Sequence, residues 1–574
     1  MRALLVIGIT VVCASGATVS RDYASVPTPP SQESYVRDER ALLVLGKALF
    51  WDMQLSSDSR VACASCHFHA GADHRLYDQL SSSKGLAHSP RVLSSTDFPL
   101  ARKAIEAGDR ISSAGIPSRR FGGAGRDGLP DEAVPVPAVS HVRQVASRNA
   151  PSVINAVDYF RNFWDGRANN VFNGRTPYGD DDPAARILVE DRDTLALRRA
   201  HIDDASLASQ AVEPPINGKE MSFDGRSWPF IGRKLLSARP LAKQRVAPDD
   251  SVLGPYVKGA PRGLSPDLSY FALVRTAFRP EFWSSNQLVS GDGQLLGRTA
   301  PRGPADFSQA EYNFPLFFGL AIQAYESTLT SNDSPYDRFV NGDANALTYI
   351  ERQGLGMFRR NRCASCHVEP DLTLATRASA RGSADYAGLG PDAGFFNTGV
   401  EPADNDIGLG ARDPFGNFLS ATARKRETAA QWMRGTFKTP NLRNVELTGP
   451  YFHTGSKATL EQIIEFYTFG GDYSAPALVP WGPDPMERTA MPALLKALTD
   501  DRVRFERAPF DHPELCVASA PKSSDPNAGE RWAAVPEVGA RGNRVPLQTF
   551  DELLRGIGKD GSRAHNLTAA CSIQ

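Results

Sequence analysis

The pentapeptide Cys-Ala-Ser-Cys-His occurs twice in this chain, at Cys63–His67 and again at Cys363–His367. Two thiols at this spacing can add across the two vinyl groups of a haem, and the histidine that follows then lies against the iron as its proximal ligand. Two other chemistries use such a pair of thiols. A zinc site needs two more ligands at short spacing, and a redox dithiol has no use for the adjoining histidine. The pattern therefore predicts two covalently bound c-type haems, one on Cys63, Cys66 and His67 and one on Cys363, Cys366 and His367.

Such motifs need a helix to lead into them, and both have one. Arg40–Asp52 (RALLVLGKALFWD) and Ala346–Phe358 (ALTYIERQGLGMF) carry apolar residues at helical spacing. The motifs thus mark two haem domains, expected over 36–335 and 345–515, with a C-terminal tail over 516–574. They stand much farther apart than one minimal cytochrome domain requires. Polar stretches rich in Gly and Pro, at about 75–140, 168–205 and 236–310, read as insertions on the first domain. Thr459–Phe469 (TLEQIIEFYTF) predicts a helix with Thr459 and Gln462 placed for a capping box. Few stretches alternate as strands do. The expected class is mainly α, with two cytochrome c-like haem domains carrying long loop-rich insertions.

Composition narrows the setting. The 574 residues hold enough chain for two or more domains, and the formal net charge of −1 with no long basic run gives no reason to expect nucleic acid or an anionic membrane surface as partner. Residues 1–17 read as a secretory signal: Arg2, a short apolar run from Ala3, then small residues to Ala17. That run is too short to span a bilayer, and no other stretch approaches the length needed, so no transmembrane span is expected. Export to the periplasm or beyond agrees with haem attachment, which takes place outside the bacterial inner membrane. Cys13 lies inside the signal, where a lipoprotein reading is the alternative. Beyond the two motifs this leaves Cys516 and Cys571, expected as a disulfide in an oxidising compartment, with two free buried thiols as the alternative.

Three further blocks carry a resemblance. Arg148–Ala168 (RNAPSVINAVDYFRNFWDGRA), Gln210–Met221 (QAVEPPINGKEM) and Phe437–Gln462 (FKTPNLRNVELTGPYFHTGSKATLEQ), in order with both CASCH motifs, resemble the bacterial di-haem cytochrome c peroxidases. That superfamily includes the di-haem enzyme that matures methylamine dehydrogenase. The insertions, and the phrase VFNGRTPYG after FWDGRA, look more like an extended branch containing haem-dependent rubber oxygenases. The resemblance puts Trp164 between the two haems, and Glu220 and Gln210 over the peroxide-binding face of the first. Heterolytic O–O cleavage needs a proton moved from the inner to the outer peroxide oxygen, which a nearby carboxylate does as base and then acid. His141 falls where classical members keep a removable sixth ligand on the first haem, whereas His69 and His74 lie too near the proximal turn and suit surface or propionate contacts. Asn149, Thr448 and Pro450 match positions that bind a structural calcium, oxygen donors suiting a hard cation; the alternative is plain loop packing.

At the second haem the classical axial methionine is replaced by Tyr467, and the maturing enzyme has an axial tyrosine in this region. His512 is a rival sixth ligand, as in the late histidine of rubber oxygenases, with Met486 and Met491 as weaker rivals. Exchanging thioether for imidazole or phenolate lowers a haem potential. The resemblance implies an exported oxidoreductase that acts on hydrogen peroxide or dioxygen. Its electrons would come from a small soluble carrier (a cytochrome c or cupredoxin) or from an organic or protein substrate. An oxygenase cleaving an apolar polymer or alkene, and a closed electron-transfer cytochrome, are the competing readings.

Overall fold

Each CASCH turn follows a helix whose ends are set by local chemistry. The computed structural model describes residues 30–77, 79–81, 92–136, 143–192, 194–259, 261–297, 299, 302–382, 390–522, 529–556 and 571. The expected signal segment, 1–17, and His141 lie outside the described residues. Six helices frame the motifs: α1 (Glu39–Trp51), α2 (Ser206–Ala211), α3 (Phe314–Glu326), α4 (Tyr349–Arg360), α5 (Leu460–Phe469) and α6 (Pro485–Ala497).

Asp38 starts α1 by accepting the Ala41 N–H at 2.9 Å, and Thr348 with Glu351 closes a capping box on α4. On α5, Thr459 accepts the Gln462 N–H, but the Gln462 side chain reaches back to Ala458 N rather than to Thr459, so only half of the expected box forms. The first core holds Leu42, Leu45 and Leu49 of α1 against Phe317, Leu320 and Ala321 of α3. The second repeats this plan, with Leu355 and Phe358 of α4 against Met491, Leu494 and Leu495 of α6. The two helix pairs meet at glycines. A Cβ on Gly46 would lie 1.9 Å from Ala321 O, and one on Gly354 would lie 2.2 Å from Ala490 O. Backbone cannot yield as a flexible side chain can. Gly354→Ala is therefore expected to cost about 2–3 kcal/mol, the scale of core overpacking, measured by thermal unfolding of the holoprotein.

The repeat extends to a turn. Asn155 and Asn444 both take the left-handed conformation, φ 59° and 61°, and each opens a 3₁₀ turn, Ala156–Asp158 and Val445–Leu447. The Asn155 side chain grips Ser331 just beyond α3, and Asn444 Oδ1 accepts Asp500 N just beyond α6.

Strands occur among the described residues as six two-stranded antiparallel sheets. Most stiffen the insertions, as in Arg119–Gly123 with Glu132–Pro135 and Ile187–Asp191 with Thr194–Arg198. Helices dominate the framework as expected. Val503, Phe510, Leu515 and Val517 pack in the first core with Leu45 and Trp51, so the chain crosses back before 515. The paired strands Leu515–Pro521 and Glu530–Val535 belong with that core, and Cys516 is disulfide-bonded to Cys571. Among the described residues no helix is long and apolar enough to cross a membrane.

Candidate functional site

Beyond α1 the chain turns through Asp52 and re-enters a short helical turn at the first motif, where Ser65 N and Cys66 N bond back to Ala62 O and Cys63 O. His67 Nδ1 donates to Gly71 O at 2.9 Å. The second motif follows α4 through Arg362, at φ 65°, and His367 Nδ1 donates to Leu372 O at 3.1 Å. A carbonyl can only accept, so both imidazoles carry their proton on Nδ1 and keep an Nε2 lone pair for a metal. Burial favours the neutral ring in each case, lowering the pKa of His67 and taking that of His367 down to about 4.

The thiols of both motifs are free. Burial pushes Cys66 and Cys363 up to about 12 and Cys366 to about 11, and raises Cys63 as well. A redox dithiol needs the opposite shift, a thiol made acidic. Among the described residues the only metal-sized gathering of donor side chains contains no cysteine, which leaves the zinc reading without ligands. Paired protonated thiols beside a buried imidazole whose Nδ1 is held by a carbonyl fit covalent haem at both motifs.

Around the first motif stand two acids. Glu220 follows a turn in which its own N–H and that of Met221 bond to Asn217 O, and Lys219 O and Glu220 O crowd against Gly115. Its side chain is half-buried. Burial first, and then the charge of Glu213, raises it to about 7, opposed by Arg167 and Lys219. Its charge is felt at both Cys63 and Cys66. Gln210 is half-buried in the last turn of α2. The second acid, Glu326, was not singled out from sequence, although a lone carboxylate closing the apolar run of α3 is a visible signal. It is 2% exposed, Oε2 has no partner, and burial raises it to about 8.

Trp164 lies where the two halves meet. Its indole N–H donates to Asn149 O at 2.8 Å and its ring sits 6.0 Å from that of His453, which stacks on Phe437 at 3.7 Å. An ion-pair chain surrounds it. Arg148 spans Asp165 and Asp406, and Arg167 joins Asp165 to Glu213 through both carboxylate oxygens at 2.9 Å. Glu213 is thus held by arginine. Glu220 has no such cation within hydrogen-bonding reach among the described residues, and that contrast separates the two acids of the block.

Glu401, Asp406 and His453 bring ligand atoms within 4.8 Å of one another. Each already has a partner: Arg110 reaches Glu401 at 2.7 Å, His453 Nε2 meets Glu401 at 2.8 Å, and Arg148 reaches Asp406 at 2.7 Å. Against the pull of burial these contacts hold both carboxylates below their usual range. The cluster is an ion-pair network, which sequence reading missed because its members come from distant segments.

Of the expected calcium ligands, Asn149 and Pro450 do meet, the Asn149 amide lying 2.6 Å from Pro450 O and 3.3 Å from Phe452 O. The Thr448 hydroxyl donates to Val445 O, while the donor expected of Thr448 is its main-chain oxygen.

The rivals for the second haem separate. Tyr467 stands on α5, where its raised phenol pKa comes from burial and then from Cys366 and Cys363, which puts it beside the second motif. His512 does not reach that motif. Its Nδ1 meets Pro513 O at 2.9 Å and its Nε2 meets Glu506 at 3.1 Å, and its ring stacks on Trp51 in the first core. Both of its ring nitrogens are engaged there. Met486 is exposed, and Met491 faces the second core. His69 and His74 are buried and stacked at 3.5 Å rather than on the surface.

Residues 40–245 match the family described as di-haem cytochrome c peroxidase. The cytochrome c peroxidase Ccp of Escherichia coli strain K12 is 25% identical over 447 residues, 77% of this chain and 56% of that protein. The cytochrome c551 peroxidase of Nitrosomonas europaea is 34% identical over 145 residues, 25% of this chain and 35% of the relative. The methylamine utilization protein MauG of Methylorubrum extorquens is 31% identical over 153 residues, 26% of this chain and 34% of the relative. The chain thus spans about half or less of the length of these relatives. The crystal structure of the diheme peroxidase BthA from Burkholderia thailandensis E264 superposes with a TM-score of 0.42 at 18% identity, over 83% of this chain and 90% of that one.

Proposed function

We propose, from the match of residues 40–245 to the di-haem cytochrome c peroxidase family, that the chain is an exported di-haem oxidoreductase that reduces hydrogen peroxide at its first haem. The observation that carries the reading is Glu220: a half-buried acid near Cys63 and Cys66, without an arginine partner, poised at about 7. A carboxyl poised there can take a proton and return it near neutral pH.

When bound, each haem would supply an iron that exchanges single electrons. Cys63 and Cys66 would hold the first haem and His67 would offer Nε2 to it; Cys363, Cys366 and His367 would do the same in the second half. Glu220 removes the proton from the inner peroxide oxygen and returns it to the outer one, with Gln210 as the neutral hydrogen-bonding neighbour. Trp164, oriented by its hydrogen bond to Asn149 O, stands as the oxidisable group between the halves. Tyr467 would offer its phenol to the second haem, and the oxygens of Asn149 and Pro450 would hold a calcium ion once the Asn149 amide is flipped. Electrons come from a small soluble carrier.

Tyr467→Phe is expected to change the spin state of the second haem in electron paramagnetic resonance, while His512→Ala leaves that haem as it was. An unaltered low-spin signal in Tyr467→Phe excludes the phenolate. The function itself is tested by peroxide turnover of purified holoprotein with a reduced cytochrome c or cupredoxin, run beside a polyisoprene-cleavage assay under dioxygen. Peroxide-dependent oxidation of the carrier is expected. Polymer cleavage without peroxide turnover would establish the oxygenase, and failure of both haems to bind cyanide would establish a closed electron-transfer protein.

A further inference from the structure

On the His67 side of the first motif lies a second set of oxidisable side chains, apart from Trp164. Trp51, the last residue of α1, is 4% exposed, and its indole N–H donates to Tyr325 Oη of α3 at 2.9 Å. The indole lies flat on the His512 imidazole, centroids 4.5 Å apart at 8°. Phe50 connects the group to the proximal ligand, its ring 6.0 Å from Trp51, 5.3 Å from Tyr325 and 6.4 Å from His67. Phe50, Trp51, His67, Tyr325 and His512 line one cavity.

Tryptophan and tyrosine are the side chains that most readily give up one electron. The only hydrogen-bond partner of the Trp51 N–H among the described residues is a phenol, which burial keeps protonated. The indole can therefore lose an electron without passing its proton to a base. Burial shields the product from water and from outside reductants.

We propose that Trp51, hydrogen-bonded to Tyr325, is a one-electron donor to the first haem site and holds an oxidising equivalent when no external reductant arrives. The inference rests on the peroxide reading above, with hydrogen peroxide as the oxidant. One electron passes from the indole to the oxidised haem site, which is reduced by one electron. The indole is left one electron short with its Nε1 proton still shared toward Tyr325, and no atom is transferred. His512 and Tyr325 are positioning residues for the indole.

The test mixes di-haem holoprotein, without electron carrier, with hydrogen peroxide and freeze-quenches it for high-field electron paramagnetic resonance, using protein grown with indole-deuterated tryptophan. A radical narrowed by the deuteration is expected. Trp51→Phe loses that component while keeping both covalent haems, and Tyr325→Phe keeps it with a shifted hyperfine pattern, a change that loss of packing alone would not cause. Trp164→Phe keeps the Trp51 component and removes any indole radical formed between the halves, so an indole signal that survives Trp51→Phe in the Trp164→Phe background overturns the inference. A second arm replaces peroxide by a photo-excited ruthenium polypyridyl with a sacrificial electron acceptor. Haems that peroxide leaves unoxidised count against the peroxide reading, whereas absence of a Trp51 signal in the photochemical arm counts against the donor itself.

Discussion

Glu220→Gln is expected to lower peroxide turnover by about 10²-fold or more, the usual scale of a positioned acid–base group, while the spectra of both haems stay nearly unchanged. The amide keeps the size and polarity of the side chain and removes only its capacity to carry a proton. The expected pH dependence follows from the raised value of about 7. Glu220 must be ionised to accept the first proton, so kcat/KM in the wild type should rise as pH passes upward through that value, and the variant should lack the step. Linkage gives a second readout. Between the ordinary carboxyl value of 4.5 and about 7 the native chain keeps a proton that the unfolded chain has released, so the fold loses stability as pH rises across that window. Glu220→Gln should remove that part of the slope. Turnover equal to wild type would take the proton-carrying role from Glu220 and leave Glu326 as the acid to examine next.

Cys63→Ser and Cys366→Ser are each expected to remove about one covalent haem per chain. Serine keeps the shape of the turn but cannot form the thioether. The His67–Gly71 and His367–Leu372 hydrogen bonds persist, so each imidazole stays ready for iron, and loss of haem in these variants reports the covalent link rather than a collapsed site. Haem-stained denaturing gels and intact-mass measurement give the count. Full retention of two covalent haems in either variant would contradict the assignment.

What could be read from sequence followed its range. The CASCH turns, the helices before them and the cap at Thr459 are local patterns, and each is found where expected; the first two blocks lie within the residues that match the family. What escaped was set by distant partners. The apolar residues of 503–517 announce burial but not which of two cores receives them, so their return to the first core was not legible. His512 went with them: its loop allows an imidazole to bind iron, but only the fold shows that Glu506 and Pro513 already hold both nitrogens. Arg148, Arg167 and Glu401 gave no separate signal, because a charged residue reads as solvated until its partner is known. The paired glycines, Gly46 and Gly354, lie in helices where glycine is unfavourable, and that oddity was the available clue to the close crossings.

The most direct measurement is an anaerobic titration of the fully reduced holoprotein with hydrogen peroxide, followed through the ferrous bands of the two haems. Peroxide reduction takes two electrons, and the two haems hold one each. The account predicts that one equivalent of peroxide oxidises both haems together in the wild type, and does so far more slowly in Glu220→Gln. Ferrous bands that stay unchanged while peroxide is added would contradict it.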